Sequence, residues 1–255
     1  MQAEFWLEKW TQPKQGWVQQ KVNSRLIRYW PSLGLDAATV LVPLCGDSID
    51  MDWLVAAGHK VCGAELSHSA IDAWSKRHGL TLEELASGGQ GDLPSDSLSH
   101  WSVTGNDAKQ FVQLDAEQAR TVAQSSGLSA NQLAPHFLCG DFLKLRGADL
   151  PFAPQAVYDR AALIALPPPM RKLYAEKLEE LLQPGSRILL ITLAYDQQKM
   201  KGPPFSVEDE EVESLFRAGF AIERLGASGG PEIVGNLSER GLDTASESVF
   251  LITRK

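Results

Sequence analysis

The sequence predicts an α/β fold, a doubly wound and mostly parallel sheet with helices on both faces and a helical arm at the N-terminus. Three observations predict it. Short apolar runs alternate with amphipathic segments along most of the chain. Arg187–Leu193 is a continuous apolar run, the pattern of a strand covered on both faces. The run Val40-Leu41-Val42-Pro43-Leu44-Cys45-Gly46-Asp47 ends in a small-residue turn. A helix-like segment follows, and then a second run, Val61-Cys62-Gly63-Ala64-Glu65-Leu66, that meets an acid. That is the layout of a nucleotide-type pocket in an open sheet.

Residues 4–30 read as two short helices rich in tryptophan (Trp6, Trp10, Trp17, Trp30), closed by Trp30-Pro31 because proline disfavours helix at the residue before it. The first strand is expected at about Thr39–Leu44, and its helix at about Ile49–Ala57, stopped by Gly58. A strand over Lys60–Glu65 and a helix over about Ser69–His78 follow, with Gly79 as the stop. From 86 to 134 the chain turns polar. Ser87–Asp92 reads as a loop and Asn106–Val122 has some helical periodicity, so this stretch is expected to be an insertion.

Regular alternation resumes with strands at Phe137–Gly140 and Ala156–Asp159. The helix Met170–Leu182 has an apolar face of Met170, Leu173, Tyr174, Leu178, Leu181 and Leu182, and Pro184-Gly185 ends it. After the strand Arg187–Leu193, Ser206 is placed to cap a helix with an acidic first turn (Glu208, Asp209, Glu210). Phe220–Leu225 and Ser248–Ile252 are the last strands. No helix is evident between them, so an antiparallel pairing is expected.

With 255 residues, 44% of them hydrophobic, the chain is long enough for one large domain with a full core. Its formal charge of −8 repels nucleic-acid phosphates and anionic membranes, so neither is an expected partner. The three cysteines, Cys45, Cys62 and Cys139, are far apart and lack metal-ligand spacing. They are expected to be reduced and mostly buried in a cytoplasmic protein. There is no signal-peptide pattern and no apolar run of membrane-spanning length. The five histidines are dispersed and no metal site is expected, with His59 and His68 read as solvent-facing or capping residues.

Ligands of such a sheet lie at the carboxyl ends of the strands. Expected there are Leu44–Asp47, Glu65, Asp141 and Tyr158-Asp159-Arg160. Gly46 removes side-chain bulk where backbone must approach a ligand. Glu65 follows at the distance, about 20 residues, at which an acid reaches ribose hydroxyls. The turn holds one glycine rather than the three of a dinucleotide fingerprint, which makes a poor pyrophosphate cradle. It suits a cofactor with ribose and adenine but no phosphates, such as S-adenosylmethionine. Asp141 is placed either to hold the adenine amino group or to make a Gly-Asp turn. Asp159 and Arg160 are either site residues or a buried ion pair at a strand end. The tryptophans are either core or part of an arm that folds over the cofactor. The residues after the later strand, Asp159-Arg160-Ala161-Ala162, lack the acid-Pro-Pro-aromatic pattern of many amino-group methylating enzymes. Pro203-Pro204-Phe205 comes after a later strand still.

Several segments together resemble the bacterial thiopurine S-methyltransferase family. They are Glu4-Phe5-Trp6 with Trp10, Val22-Asn23, Tyr29-Trp30-Pro31, Val42–Gly46, Gly63–Ser67, Cys139-Gly140-Asp141-Phe142, Tyr158–Pro167 and Gly202–Val207. The resemblance spans nearly the whole chain outside 86–134. It implies a class I, Rossmann-like methyltransferase of seven strands with a last antiparallel strand. The whole of 1–255 is then a single domain, with 1–31 as a cofactor-covering arm and 86–134 as a polar insertion. It implies that Trp10, Leu44, Glu65 and Arg160 contact the cofactor, and that Arg240 matches an arginine near the substrate mouth. It departs from the family at Asp47, where a lysine is usual, at Trp17-Val18 in place of Phe-His, and at Gly235-Asn236-Leu237 in place of Pro-Arg-Phe.

The implied reaction is transfer of methyl to the sulfur of a thiopurine or other aromatic thiol by in-line displacement, leaving S-adenosylhomocysteine (SAH). It needs alignment and water exclusion more than a metal or a strong base. Arg160 and Arg240 favour the thiolate or guide the acceptor, and Asp159 orients Arg160 or accepts a proton through water. The resemblance also permits selenium or tellurium oxyanions or small thiol metabolites as acceptors. A reading from another class is a non-catalytic adenosyl-binding module. A monomer acting on a small molecule is the default expectation.

Overall fold

The computed structural model describes residues 3–12, 18–85, 98–103 and 134–255. In chain order its elements are α1 (Ala3–Trp10), α2 (Ser24–Tyr29), β1 (Thr39–Pro43), α3 (Ile49–Ala56), β2 (Lys60–Glu65), α4 (His68–His78), β3 (Leu82–Leu85), β4 (Ser99–Val103) and β5 (His136–Cys139). Then come β6 (Ala156–Arg160), α5 (Ala162–Ala165), α6 (Pro168–Leu181), β7 (Arg187–Ala194), α7 (Asp209–Phe216), β8 (Phe220–Gly230), α8 (Pro231–Val234) and β9 (Ala245–Arg254). Strands and helices alternate from β1 to α4 and again from β6 to β9, as in an α/β fold, while among the described residues no α-helix stands between β3 and β6. The chain divides into two compact units, Gln2–Asn23 with Leu35–Pro154, and Ser24–Gly34 with Gln155–Lys255.

In the first unit β1 runs parallel to β2, and β2 parallel to β5. Val40, Leu41, Val61, Cys62 and Ala64 are buried, so β1 and β2 are covered on both faces. Gly63 is required by close approach: a Cβ there would lie 2.6 Å from Cys45 Sγ and 3.0 Å from Met51 Cε. Ser48 caps α3 by accepting the Asp50 N–H. Two antiparallel strands extend the sheet beyond β5. β4 pairs with β5 and β3 with β4. Both escaped the sequence reading, because Leu82-Glu83-Glu84-Leu85 and Ser99-His100-Trp101-Ser102-Val103 lack clean alternation. With them, nine strands stand among the described residues, where the resemblance implied seven. Trp17, Ser87–Asp92 and Asn106–Val122 lie outside the described residues.

In the second unit β6 is parallel to β7, while β9 is antiparallel to both β7 and β8. The antiparallel pairing of the last strands is therefore as expected, but α8 and a turn of 3-10 helix (Gly235–Arg240) join them. The buried stripe of α6 is Arg171, Tyr174, Ala175, Leu178 and Leu181. This corrects the expected face: Leu173 is 53% exposed, and Arg171 takes the inner position. Arg171 can lie there because Nε donates to Leu166 O and Nη1 pairs with Glu211 at 2.6 Å. Ser206 does not cap α7, whose N-cap is Glu208. Its hydroxyl instead accepts the Tyr195 N–H and donates to Glu208 Oε1.

His59 is also corrected. It is 3% exposed, and Nδ1 accepts the Ala38 N–H at 3.0 Å at the start of β1. Burial lowers its pKa to about 4, so the ring is neutral at pH 7. His68 is exposed, as expected, and lies 3.2 Å from Asp72. No described helix is long and apolar enough to cross a membrane.

Candidate active site

In the first unit the predicted residues converge at the carboxyl ends of β1 and β2. Leu44 and Gly46 both take left-handed backbone, with φ of 48° and 56°. For Leu44 that conformation costs about 1–2 kcal/mol, a strain held by the turn on which Gly46 sits. The Gly46 N–H donates to Glu65 Oε2 at 2.9 Å, and the Ser67 N–H to Oε1 at 2.8 Å. Glu65 is buried, which pushes its carboxyl pKa up against the pull of these backbone donors. Trp10, at the end of α1, covers the turn: a Cβ on Gly46 would lie 3.0 Å from its ring. The arm and the glycine turn are therefore one packed feature.

This cradle fits a ribose-bearing ligand without phosphates. Glu65 accepts the backbone N–H groups of Gly46, Ser67 and Leu66, and a carboxylate with about four acceptor sites has room for a further donor. Vicinal hydroxyls supply such donors, whereas a phosphate would be repelled. Asp141, beyond β5, is exposed, and its Oδ1 accepts the Leu143 N–H as an Asx turn. The thiols nearby are protonated: burial, with the Glu65 charge, raises the pKa of Cys45 well above its ordinary value and that of Cys139 to about 11.

In the second unit the other predicted residues are spread over three settings. Asp159 is fully buried. It accepts the Tyr174 hydroxyl at 2.6 Å and the Leu163 N–H at 3.2 Å. Burial raises its pKa to about 6 despite these donors. Arg160, half-buried, ends β6 and is followed by Ala161 in left-handed backbone (φ 82°). Its charge acts on Glu247 of β9, which Arg25 pairs at 2.8 Å. Arg240 is exposed and donates to Pro203 O at 2.6 Å. The Tyr195 hydroxyl donates to Pro204 O, also at 2.6 Å, so the Pro203-Pro204 segment is tied from both sides.

The sequence reading missed Tyr174, Glu247 and Arg77. Tyr174 was assigned to an apolar face, and its hydroxyl carried no local signal. Arg77 pairs with Asp47 at 2.7 Å across 30 residues, a partnership no short motif reveals. Among the described residues no group of three or more His, Cys, Asp or Glu is placed to hold a metal ion.

A glycine turn after one strand and a buried acid at the end of the next, set in an open α/β sheet, point to a class. Solved structures with this fold are class I S-adenosylmethionine-dependent methyltransferases. One is a methyltransferase of Anabaena variabilis with a TM-score of 0.56 and 15% identity, covering 99% of this chain and 95% of that one. Another is the magnesium protoporphyrin IX methyltransferase of Synechocystis with bound SAH, with a TM-score of 0.51 and 16% identity over 91% and 81%.

The family model for thiopurine S-methyltransferase matches residues 1–95 and 97–255. Proteins named thiopurine S-methyltransferase are similar along most of their length. That of Pseudomonas fluorescens is 39% identical over 89% of this chain and 87% of its own. That of Pseudomonas putida is 35% identical over the full length of both, and that of Nitrosospira multiformis 36% over 99% and 98%. The chain belongs to the thiopurine S-methyltransferase family and is an S-adenosylmethionine-dependent methyltransferase.

Proposed function

We propose that this enzyme methylates the sulfur of an aromatic or heterocyclic thiol of the thiopurine class. The observation that carries the cofactor half is the Glu65 carboxylate, buried and aligned by the Gly46 and Ser67 N–H groups beneath Trp10. Family membership and the arginines of the second unit carry the acceptor half.

Glu65 receives the ribose hydroxyls, Gly46 and Leu44 offer backbone, and Trp10 excludes water from that side. Asp141 offers its second oxygen to an adenine amino group. Bound there, S-adenosylmethionine supplies an electrophilic methyl group on a sulfonium sulfur. Arg160 favours the ionised form of the acceptor sulfur through its positive charge. Arg240 holds the Pro203-Pro204 segment and guides an anionic or polar acceptor. Asp159, with its oxygens engaged by Tyr174 and Leu163, serves as a positioning residue that fixes the end of β6 beside Arg160. The polar stretch 86–134 is an insertion in a single domain of 1–255. With its acidic charge the enzyme acts as a cytoplasmic monomer without nucleic-acid partners.

The test is incubation with S-adenosylmethionine and mercaptopurine, followed by mass spectrometry. The S-methyl product and SAH are expected in equal amounts. SAH binding without any methylated thiol would overturn the acceptor assignment.

A further inference from the structure

Asp47 follows Gly46 directly, and its carboxylate is not free to approach a ligand. Arg77 of α4 donates to Asp47 Oδ1 from both Nε and Nη2, at 2.9 and 2.7 Å. The third nitrogen, Nη1, donates to Asp52 Oδ2 of α3 at 2.6 Å. Asp52 is held in turn by Trp74 Nε1 at 3.0 Å and lies 3.1 Å from His78 Nε2. Arg77 thus joins the strained turn after β1, the helix that follows it and the helix after Glu65.

The site is partly shielded. The Asp47 side chain is 11% exposed and that of Arg77 32%. Charge pairs in such a setting are screened less than pairs in open water. One guanidinium serves two carboxylates, and its planar fork matches them in a way a point charge does not.

We propose that Arg77 is a positioning residue for the cofactor, holding the Gly46 turn in its binding conformation and cancelling the charge of Asp47 beside it. This rests on the cofactor site proposed above. Two consequences follow from removing the guanidinium. The turn loses the cross-tie that restrains the left-handed residues Leu44 and Gly46. Two carboxylates, Asp47 and Asp52, then lose the guanidinium that neutralises them, and the added negative charge disfavours the ionised Glu65 that accepts hydrogen bonds from hydroxyls.

The experiment is calorimetric titration of SAH into the full-length chain, paired with a melting temperature for each variant. Arg77→Gln is expected to weaken SAH by about tenfold, the scale of one charged hydrogen bond. Its melting temperature should stay within a few degrees of wild type, as for an ion pair near the surface. Arg77→Lys should fall between the two, since an ammonium reaches only one carboxylate well. Adding Asp47→Asn to Arg77→Gln should return part of the affinity, because one of the two uncompensated carboxylates is gone while the cross-tie stays broken.

Two results would overturn the proposal: Arg77→Gln binding SAH as wild type does, or the double variant binding no better than Arg77→Gln alone. Should Arg77→Gln fail to fold, Asp47→Asn alone decides. It is expected to weaken SAH at unchanged melting temperature, and unchanged affinity would overturn the proposal. Glu65→Ala separates the two levels of the argument. Undiminished SAH binding in Glu65→Ala would mean the cofactor does not use this turn at all. Lost binding there, with Arg77→Gln unaffected, would sink the Arg77 assignment alone.

Discussion

Two strand ends, those of β1 and β6, are built on the same plan and used differently. Each is followed by a non-glycine residue in left-handed backbone, Leu44 in one and Ala161 in the other. Each has a buried acid nearby. At the first, Glu65 accepts only backbone N–H groups, those of Gly46, Ser67 and Leu66. At the second, Asp159 is closed in by the Tyr174 hydroxyl and the start of α5. An acid at a strand's carboxyl end is therefore not in itself a ligand site. The two differ in their partners: Asp159 is bonded to a core side chain and is fully buried, whereas the Glu65 donors are all backbone N–H groups.

The comparison breaks most sharply on turnover. Arg160→Ala should lower kcat/KM by about 100-fold or more, the effect of removing a charge that stabilises a reacting anion. Its melting temperature should hold. Asp159→Ala should do the reverse, costing about 1–3 kcal/mol of stability through the lost bonds from Tyr174 and Leu163. Per folded molecule, its turnover should fall only several-fold, the effect of a loosened Arg160 rather than of a missing one. An Asp159→Ala protein with full stability and no activity would make Asp159 a reacting group and erase the contrast.

The two regions also carry opposite pH signatures. His59, at the start of the β1–β2 pair, has its pKa lowered to about 4 by burial. Its contribution is present above the unfolded value near 6.5 and is lost as pH falls toward 4, by about 3 kcal/mol in all. Asp159 has its pKa raised to about 6 by burial. Its contribution is present below the unfolded value near 3.8 and is lost as pH rises through 6, again by about 3 kcal/mol. Denaturant melts of His59→Gln and Asp159→Asn between pH 4 and 7 should therefore depart from wild type with slopes of opposite sign. Slopes of the same sign would mean one of the two groups is not held in the protonation state described.

The smallest expected effect is at Arg240, an exposed side chain tied to one carbonyl. Arg240→Ala should raise KM for an anionic thiol a few-fold, with kcat nearly unchanged, as for loss of one exposed charge contact. A collapse of kcat would move Arg240 into the reaction itself.

The same contrast explains what the sequence made legible. β2 was readable to the residue, since Lys60–Glu65 is a mostly buried apolar run that ends in an acid. The Gly46–Glu65 relation was readable because both partners sit at the ends of adjacent strands one crossover apart. The antiparallel last strands were readable because no long helical pattern lies between them; the intervening α8 and 3-10 segment are too short for a parallel crossover. Asp159 could be located but not interpreted, because its partner Tyr174 looked like a core aromatic. The strands β3 and β4 were hidden by polar residues facing out along short runs. Arg171 took a core position with Nε on Leu166 O and Nη1 on Glu211, while Leu173 went outward, an exchange that helical periodicity does not foresee. His59 and Ser206 were misplaced for the same reason: their partners, Ala38 and Tyr195, are set by tertiary pairing.

The central claim is that Glu65, held open under Trp10, is the cofactor's anchor. Titrating SAH into wild type and Glu65→Ala, with a melting temperature for each, tests it directly. The account predicts binding in wild type and a loss of about 100-fold or more in Glu65→Ala, the scale of two hydrogen bonds to a charged group. The fold should be retained. Equal affinity in the two proteins would contradict it.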